Sequence, residues 1–285
     1  MGAKFGTAGN GDLFYAEGFK ASEDMPKWLK NFGLDAYEYQ CGNGVRIKEE
    51  TARKIGRNAE ENGILMSLHS PYYINLATPE EEKREKSIDY ITQSLAAADF
   101  MGAKRMVVHS GALGKMTRQE ALEYAKITVK LAQKRADEMG YGHIHLCLET
   151  MGKINQLGNL DEVMELCGLD DRLLPTIDFG HLNARTLGGL KSYDDFLNIF
   201  DTIENKLGSD RLKIFHSHFS KIEYTKGGEK KHLTFADDVF GPEFDNVAEI
   251  VYKKNLSPVF ICESAGTQPE DALEMKKMYI NLTEK

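Results

Sequence analysis

Eight short apolar runs in the chain stop at a polar residue, and six of those stops are His, Asp or Glu. They read Leu68-His69-Ser70, Val108-His109-Ser110, Leu148-Glu149-Thr150, Ile177-Asp178-Phe179, Phe215-His216-Ser217 and Cys262-Glu263-Ser264. A strand that stays apolar until its last residue places that residue at the rim of a sheet. Six such rims bring their side chains together only if the sheet closes on itself.

Periodicity predicts strands over 4–7, 36–41, 65–69, 105–109, 145–149, 176–178, 213–218 and 258–263, with amphipathic stretches between them. Helix starts are expected at Thr78-Pro79-Glu80-Glu81, Thr117-Arg118-Gln119-Glu120 and Thr267-Gln268-Pro269-Glu270, which combine caps, carboxylates and early prolines. Stops are expected at Gly102, Gly140 and Gly168. A strand followed by a helix must cross over before the next strand, so eight such units imply a parallel sheet. At 285 residues, without a visible linker, the closed (β/α)8 TIM barrel is favoured over an open doubly wound sheet, as one domain over 1–285. The segment from Gly6 to Gly11 is only a loose echo of a dinucleotide-binding turn and reads as a rim loop.

In such a barrel the strand ends and the loops after them form the catalytic face. His181 and His232 fall in loops just beyond the predicted strands and join the strand-end set. Gathering this many carboxylates without a cation would be strongly unfavourable through repulsion and desolvation. Imidazoles mixed with carboxylates suit Zn, Mn or Fe, and so many candidate ligands exceed the needs of one ion. Cys41, Cys147, Cys167 and Cys262 show no CxxC spacing and are read as small buried residues. His143 and His145, at the start of the fifth strand, are read as structural.

The motifs His69-Ser70-Pro71-Tyr72-Tyr73-Ile74-Asn75-Leu76, His109-Ser110-Gly111, Leu148-Glu149-Thr150, Asp178-Phe179-Gly180-His181 and Ile261-Cys262-Glu263-Ser264 together resemble the endonuclease IV family. These are zinc-dependent apurinic/apyrimidinic endonucleases within the xylose-isomerase-like barrels, and the resemblance runs from Lys4 to about Tyr279. It implies three zinc ions, with Mn an option for some. The first would be held by His69, His109 and Glu149, and the second by Glu149, Asp178, His216 and Glu263. The third would be held by His181, His232 and an acidic residue for which Glu229 stands, although the family pattern Asp-x-His is here Glu229-Lys230-Lys231-His232. His216 and His218 share a strand face, and His216 is preferred because Phe215-His216-Ser217 repeats the pattern of the earlier strands.

The resemblance also implies metal-assisted hydrolysis of the phosphodiester 5′ to an abasic site in duplex DNA, with Glu149 or Glu263 taking the proton of the attacking water and a 3′-hydroxyl left behind. Tyr72 stands where the family places a residue that probes the duplex. The net charge is −8, so a basic DNA-binding face would have to come from local placement. Arg46, Lys115, Lys153, Arg185, Lys221, Lys226, Lys230 and Lys231 all fall in expected catalytic-face loops. Arg46, Lys230, Lys231 and Tyr72 are the expected DNA contacts, and a monomer is expected. Asn10 and Gln40 lie near the first two strand ends as candidate water or substrate ligands.

No stretch approaches the ~20 apolar residues of a membrane helix. The N-terminal Met1-Gly2-Ala3-Lys4-Phe5-Gly6 lacks a signal-peptide core and a myristoylation pattern, so a cytoplasmic protein is expected. Two other functions remain in play. A sugar isomerase or epimerase of the same barrel group would use Glu149, Asp178, His216 and Glu263 around one metal, but leaves His69, His109, His181 and His232 without a role. A catalytically idle zinc scaffold that binds damaged DNA or a partner is the third reading.

Overall fold

Eight short parallel strands close into a barrel in the order β1-β10-β7-β6-β5-β4-β3-β2 in a computed structural model that describes residues 2–283. Met1, the first residue of the N-terminal segment read for a targeting signal, lies outside the described residues, as do Glu284 and Lys285. The strands are β1 (Lys4–Ala8), β2 (Ala36–Gln40), β3 (Leu65–His69), β4 (Arg105–His109), β5 (His145–Glu149), β6 (Leu174–Asp178), β7 (His216–Phe219) and β10 (Val259–Cys262). Between β7 and β10 the chain inserts an antiparallel hairpin, β8 (Ile222–Thr225) and β9 (Gly228–His232). The expected (β/α)8 TIM barrel is therefore the fold, with the hairpin as an addition.

The helices packed outside are α1 (Asp12–Ala16), α2 (Met25–Phe32), α3 (Glu49–Asn62), α4 (Glu81–Phe100), α5 (Arg118–Glu138), α6 (Leu160–Cys167), α7 (Phe179–Arg185), α8 (Tyr193–Leu207), α9 (Ser209–Lys213), α10 (Asp245–Lys253) and α11 (Gln268–Thr283). Helix α5 starts as expected, on a full Thr117/Glu120 capping box. Helix α4 does not start at Thr78. Its N-cap is Glu80, without a side-chain cap, because the Thr78 hydroxyl accepts instead from the Glu80 backbone N–H at 3.4 Å. None of these helices is long and apolar enough to cross a membrane.

Strand alternation divides the core in two. Tyr37, Met66, Leu68, Met106, Val108, Leu146, Leu148, Ile177 and Phe260 belong to the main cluster formed with the helices. The alternate positions turn into the barrel, where Ala8, Ala36, Val259 and Ile261 form one small cluster and Val107, Cys147 and Leu174 another. Gly6 shares that interior face, and a Cβ there would lie 2.1 Å from the Ala36 carbonyl oxygen. Close approach of β1 to β2, rather than phosphate binding, accounts for this glycine. All four cysteines are buried and free, and burial pushes the Cys41 and Cys147 thiols up to about 12.

One expected strand is shifted. Residues 209–213 form α9, so the apolar residues before His216 belong to a helix and its exit, and β7 begins at His216. The barrel register then pairs His216 with Thr176 and His218 with Asp178. This puts His218, not His216, at the level of the strand-end residues.

Candidate metal centre

The inward face of β3 to β6 delivers His69, His109, Glu149 and Asp178 as last residues of their strands, and Glu263 follows β10 directly. Glu149 sits at the centre. Its Oε2 lies 3.3 Å from His69 Nε2 and 3.2 Å from His109 Nε2, while its Oε1 lies 3.0 Å from His218 Nδ1. Glu263 Oε1 is 3.5 Å from the same His218 nitrogen. Ligand atoms of His69, His109 and Glu149 lie within 4.8 Å of one another, as do those of Glu149, Asp178, His218 and Glu263. The two sets share Glu149. The expectation of His216 in the second set is thus corrected to His218: His216 lies a layer deeper, with Nε2 2.9 Å from Glu38 Oε2.

A third set joins His181, Glu229 and His232 within the same distance. Three residues of spacing in a regular strand would point Glu229 and His232 to opposite faces. The ladder pairs Ile222 with His232, Glu223 with Lys231 and Tyr224 with Glu229, so Lys230 is the extra residue of a β-bulge. The bulge returns both side chains to one face, and the additional residue in Glu229-Lys230-Lys231-His232 is absorbed there. The hairpin rests on the loop after β5 through paired glycines. A Cβ on Gly228 would be 2.3 Å from the Gly152 carbonyl oxygen, and one on Gly152 would be 2.6 Å from Glu229 Cβ.

The imidazoles are oriented from behind. His69 Nδ1 is held by the Ser70 carbonyl at 2.8 Å, His181 Nδ1 by the Thr150 carbonyl at 2.9 Å, His232 Nδ1 by Ser220 Oγ at 2.8 Å and His218 Nε2 by Glu38 Oε1 at 2.9 Å. Each therefore keeps one ring nitrogen committed and one facing the site, the arrangement that fixes the tautomer of a ligating histidine. Asp178 is split in the same way. Its Oδ1 caps α7 by accepting from the His181 N–H at 2.6 Å, while its buried Oδ2 has no hydrogen-bond partner among the described residues. Oδ2 is 3.4 Å from His181 Nδ1, but that nitrogen is already taken by Thr150. An orphaned buried carboxylate oxygen among imidazoles and carboxylates is the chemistry a divalent cation would complete.

Electrostatics point the same way. Burial would raise the Glu149 carboxyl, but His218, His109 and His69 hold it well below the usual carboxylate range. Burial raises Asp178, with Glu263 and Glu149 adding to the shift against His181. Burial would depress His181, yet Asp178, Glu229 and Glu149 bring it up to about 9. His218 likewise lies well above its ordinary value, since Glu263, Glu38 and Glu149 outweigh its burial. Protons on these imidazoles offset carboxylate charge that a metal would otherwise neutralise.

The site opens into a cavity of about 670 Å³ lined by His69, His109, His181, Glu229, His232 and Glu263, with Gln40, Tyr72 and Lys153 at its walls. Gln40 thus reaches the site, whereas Asn10 is engaged with Tyr37, Tyr15 and Ser22. Tyr72 is 56% exposed and stacks on His109 at 5.6 Å, and Tyr73 packs edge-on against Tyr90. Arg46 is exposed and lines a shallow recess with Tyr72. Lys230 and Lys231 both pair with Glu223. Two other basic residues of the expected catalytic-face loops, Lys221 and Arg185, are engaged by the protein itself. Lys221 is buried against Glu243 and the Asp237 carbonyl, and Arg185 donates to the carbonyls of Met151, Lys153, Ile154 and Gln156 to brace the loop after β5. His143 and His145 are structural, bound to Asp99 and to the Arg172 carbonyl.

Sequence reasoning missed Glu38, fully buried between His216 and His218. Its signal is parity: Ala36, Glu38 and Gln40 share the inward face of β2, and a carboxylate there needs partners inside the barrel.

A family model described as xylose isomerase-like TIM barrel matches residues 26–280. An uncharacterized protein of Methanocaldococcus jannaschii is 34% identical over 272 residues, covering 95% of each chain. A protein of Mycoplasma pneumoniae named "Probable endonuclease 4" is 28% identical, covering 76% of this chain and 73% of its own. Among solved structures, a D-tagatose 3-epimerase-like protein superposes with a TM-score of 0.71 at 19% identity, covering 99% of this chain and 98% of that one. Endonuclease IV from Thermus thermophilus superposes with a TM-score of 0.63 at 17% identity, covering 99% of both. The family match over most of its length places the chain in the xylose isomerase-like TIM barrel family, with curated relatives that carry the name probable endonuclease 4.

Proposed function

We propose that the protein is a zinc-dependent phosphodiesterase that cleaves duplex DNA on the 5′ side of abasic sites; relatives named probable endonuclease 4 support a nuclease. The observation that carries this reading is the set of three donor groups gathered around Glu149 and the adjoining hairpin. A single-ion epimerase would be served by Glu149, Asp178, His218 and Glu263 alone and would leave His69, His109, His181 and His232 without a task. Bound divalent ions would supply water activation and neutralisation of phosphate charge.

The chain's own residues do the rest. His69, His109 and Glu149 would hold one ion, Glu149, Asp178, His218 and Glu263 a second, and His181, Glu229 and His232 a third. Glu263, at the cavity wall, accepts the proton of the attacking water, with Glu149 fixed behind it by its three imidazoles. Tyr72 covers the site and wedges against the lesion, while Arg46, Lys230 and Lys231 meet the phosphate backbone. Lys230 and Lys231 reach phosphates by exchanging an exposed pair with Glu223, a weak interaction to give up.

The test is metal content per chain beside cleavage of a duplex carrying one abasic analogue. About three zinc ions with incision 5′ to the lesion would support the proposal. One manganese per chain, no incision and turnover of a ketose would replace it with the epimerase reading. Zinc without any turnover would favour the idle scaffold.

A further inference from the structure

The interior of a TIM barrel is ordinarily filled by branched aliphatic side chains. Here Glu38 occupies such a position, with no solvent exposure, and it is fully satisfied. Its Oε1 meets His218 Nε2 at 2.9 Å and Gln40 Nε2 at 3.3 Å, and its Oε2 meets His216 Nε2 at 2.9 Å and Ser67 Oγ at 2.8 Å. Four donors exhaust the lone pairs of an ionised carboxylate. Behind His216, Arg105 Nη1 lies 3.4 Å from Nδ1, which makes that nitrogen the acceptor and Nε2 the donor toward Glu38.

We propose that Glu38 is a positioning residue for the metal centre, holding the proton of His218 on Nε2 so that Nδ1 presents its lone pair to the ion shared with Glu149, Asp178 and Glu263. The inference rests on the reading of that quartet as a metal site. Two alternatives are weaker on geometry. Glu38, His216 and His218 could themselves be taken as a further metal site. Their contacts are direct hydrogen bonds, however, and a guanidinium stands beside His216 where an additional cation would be repelled. Plain structural filler would not explain why the other His218 nitrogen lies 3.0 Å from Glu149 and 3.5 Å from Glu263. A carboxylate on the far nitrogen of a ligating imidazole fixes the ring and raises its basicity, and loss of such a partner weakens metal binding roughly 10- to 100-fold.

Glu38→Gln keeps the shape but turns an amide N–H toward one of the two imidazoles. Purified wild-type and variant proteins would be stripped, titrated with Zn(II) against a chromophoric chelator, and separately loaded with Co(II) for visible spectra. The expected result is an unchanged number of ions at saturation, one of them bound roughly 10- to 100-fold more weakly, with an altered Co(II) spectrum. Wild-type affinity and spectrum in the variant would overturn the proposal. So would loss of one ion at saturation, which would make Glu38 a ligand. A wild-type protein that binds no divalent metal would overturn the metal reading as well, so the two failures are distinct. If Glu38→Gln does not fold, Ser67→Ala removes one donor from Glu38 without touching charge. A several-fold weaker site is then expected, and unchanged affinity overturns the proposal.

Discussion

Replacing Asp178 by Asn should stabilise the metal-free protein while removing much of its response to metal. The Asn Oδ1 can still accept from the His181 N–H, the 2.6 Å bond that caps α7. The other oxygen, buried and without a partner, becomes an amide N–H that can donate toward the carboxylates gathered there. Leaving a buried polar group unsatisfied costs about 1–3 kcal/mol, so the substitution should recover about that much. For a chain of 285 residues the unfolding entropy is near ~0.6 kcal/mol/K, which converts the gain to a rise in Tm of about 2–5 °C. The pH dependence has a definite sign. Burial raises the folded-state pKa of Asp178 above its ordinary 3.8, so stability present below that pH is lost as pH rises through the folded pKa. The difference between variant and wild type should therefore widen upward from about pH 4. Metal reverses the order, since zinc at about 100 times Kd adds ~2.7 kcal/mol to a protein with an intact site. Calorimetric unfolding after exhaustive chelation, then with zinc restored, measures both effects. A chelated variant less stable than wild type at pH 7, or an equal gain from zinc in both proteins, would refute the reasoning.

Other perturbations separate the groups of the site. Glu263→Gln should lower incision on the order of 10²- to 10⁴-fold with an unchanged circular dichroism spectrum, and undiminished cleavage would remove Glu263 from the proton-accepting role. Gly152→Ala would put a Cβ 2.6 Å from Glu229 Cβ and 2.9 Å from His181 Cδ2, so metal content should fall by one ion while the sets around Glu149 stay loaded. Full occupancy in that variant would contradict the hairpin packing. With His181 raised to about 9 and His218 well above its ordinary value, zinc uptake at pH 7 should release roughly two protons. Titration calorimetry in buffers of different ionisation enthalpy reads this directly, and a heat independent of buffer would count against it.

Much of this molecule was legible where one rule held locally. Apolar runs ending in His69, His109, Glu149 and Asp178 announced both the strands and their rim side chains, because a strand buried on both faces can carry a polar group only at its end or with partners. His218 escaped that rule because its height in the barrel is set by the β6 register, and the apolar residues before His216 belong to α9 and its exit. Glu38 escaped it because a lone carboxylate between Tyr37 and Tyr39 looks like an exposed strand position until the partner histidines are brought across the barrel. The partners of Lys221 and Arg185 were hidden for a related reason. A cation in the sequence carries no sign of whether the surrounding chain engages it, and here the Asp237 carbonyl and Glu243 engage Lys221 while carbonyls of the loop after β5 engage Arg185 at the end of α7.

The bulge at Lys230 separates residue count from geometry in the hairpin. Glu229 and His232 face the same way because the ladder, not their spacing in sequence, decides which side each side chain takes. Deleting Lys230 would leave the same Glu and His two apart in an unbulged ladder, still side by side, so the shorter and longer spellings encode one clasp. A single insertion elsewhere in β9, with no bulge to receive it, would instead turn one of the pair outward. Tolerance to length change is thus confined to one position of the hairpin.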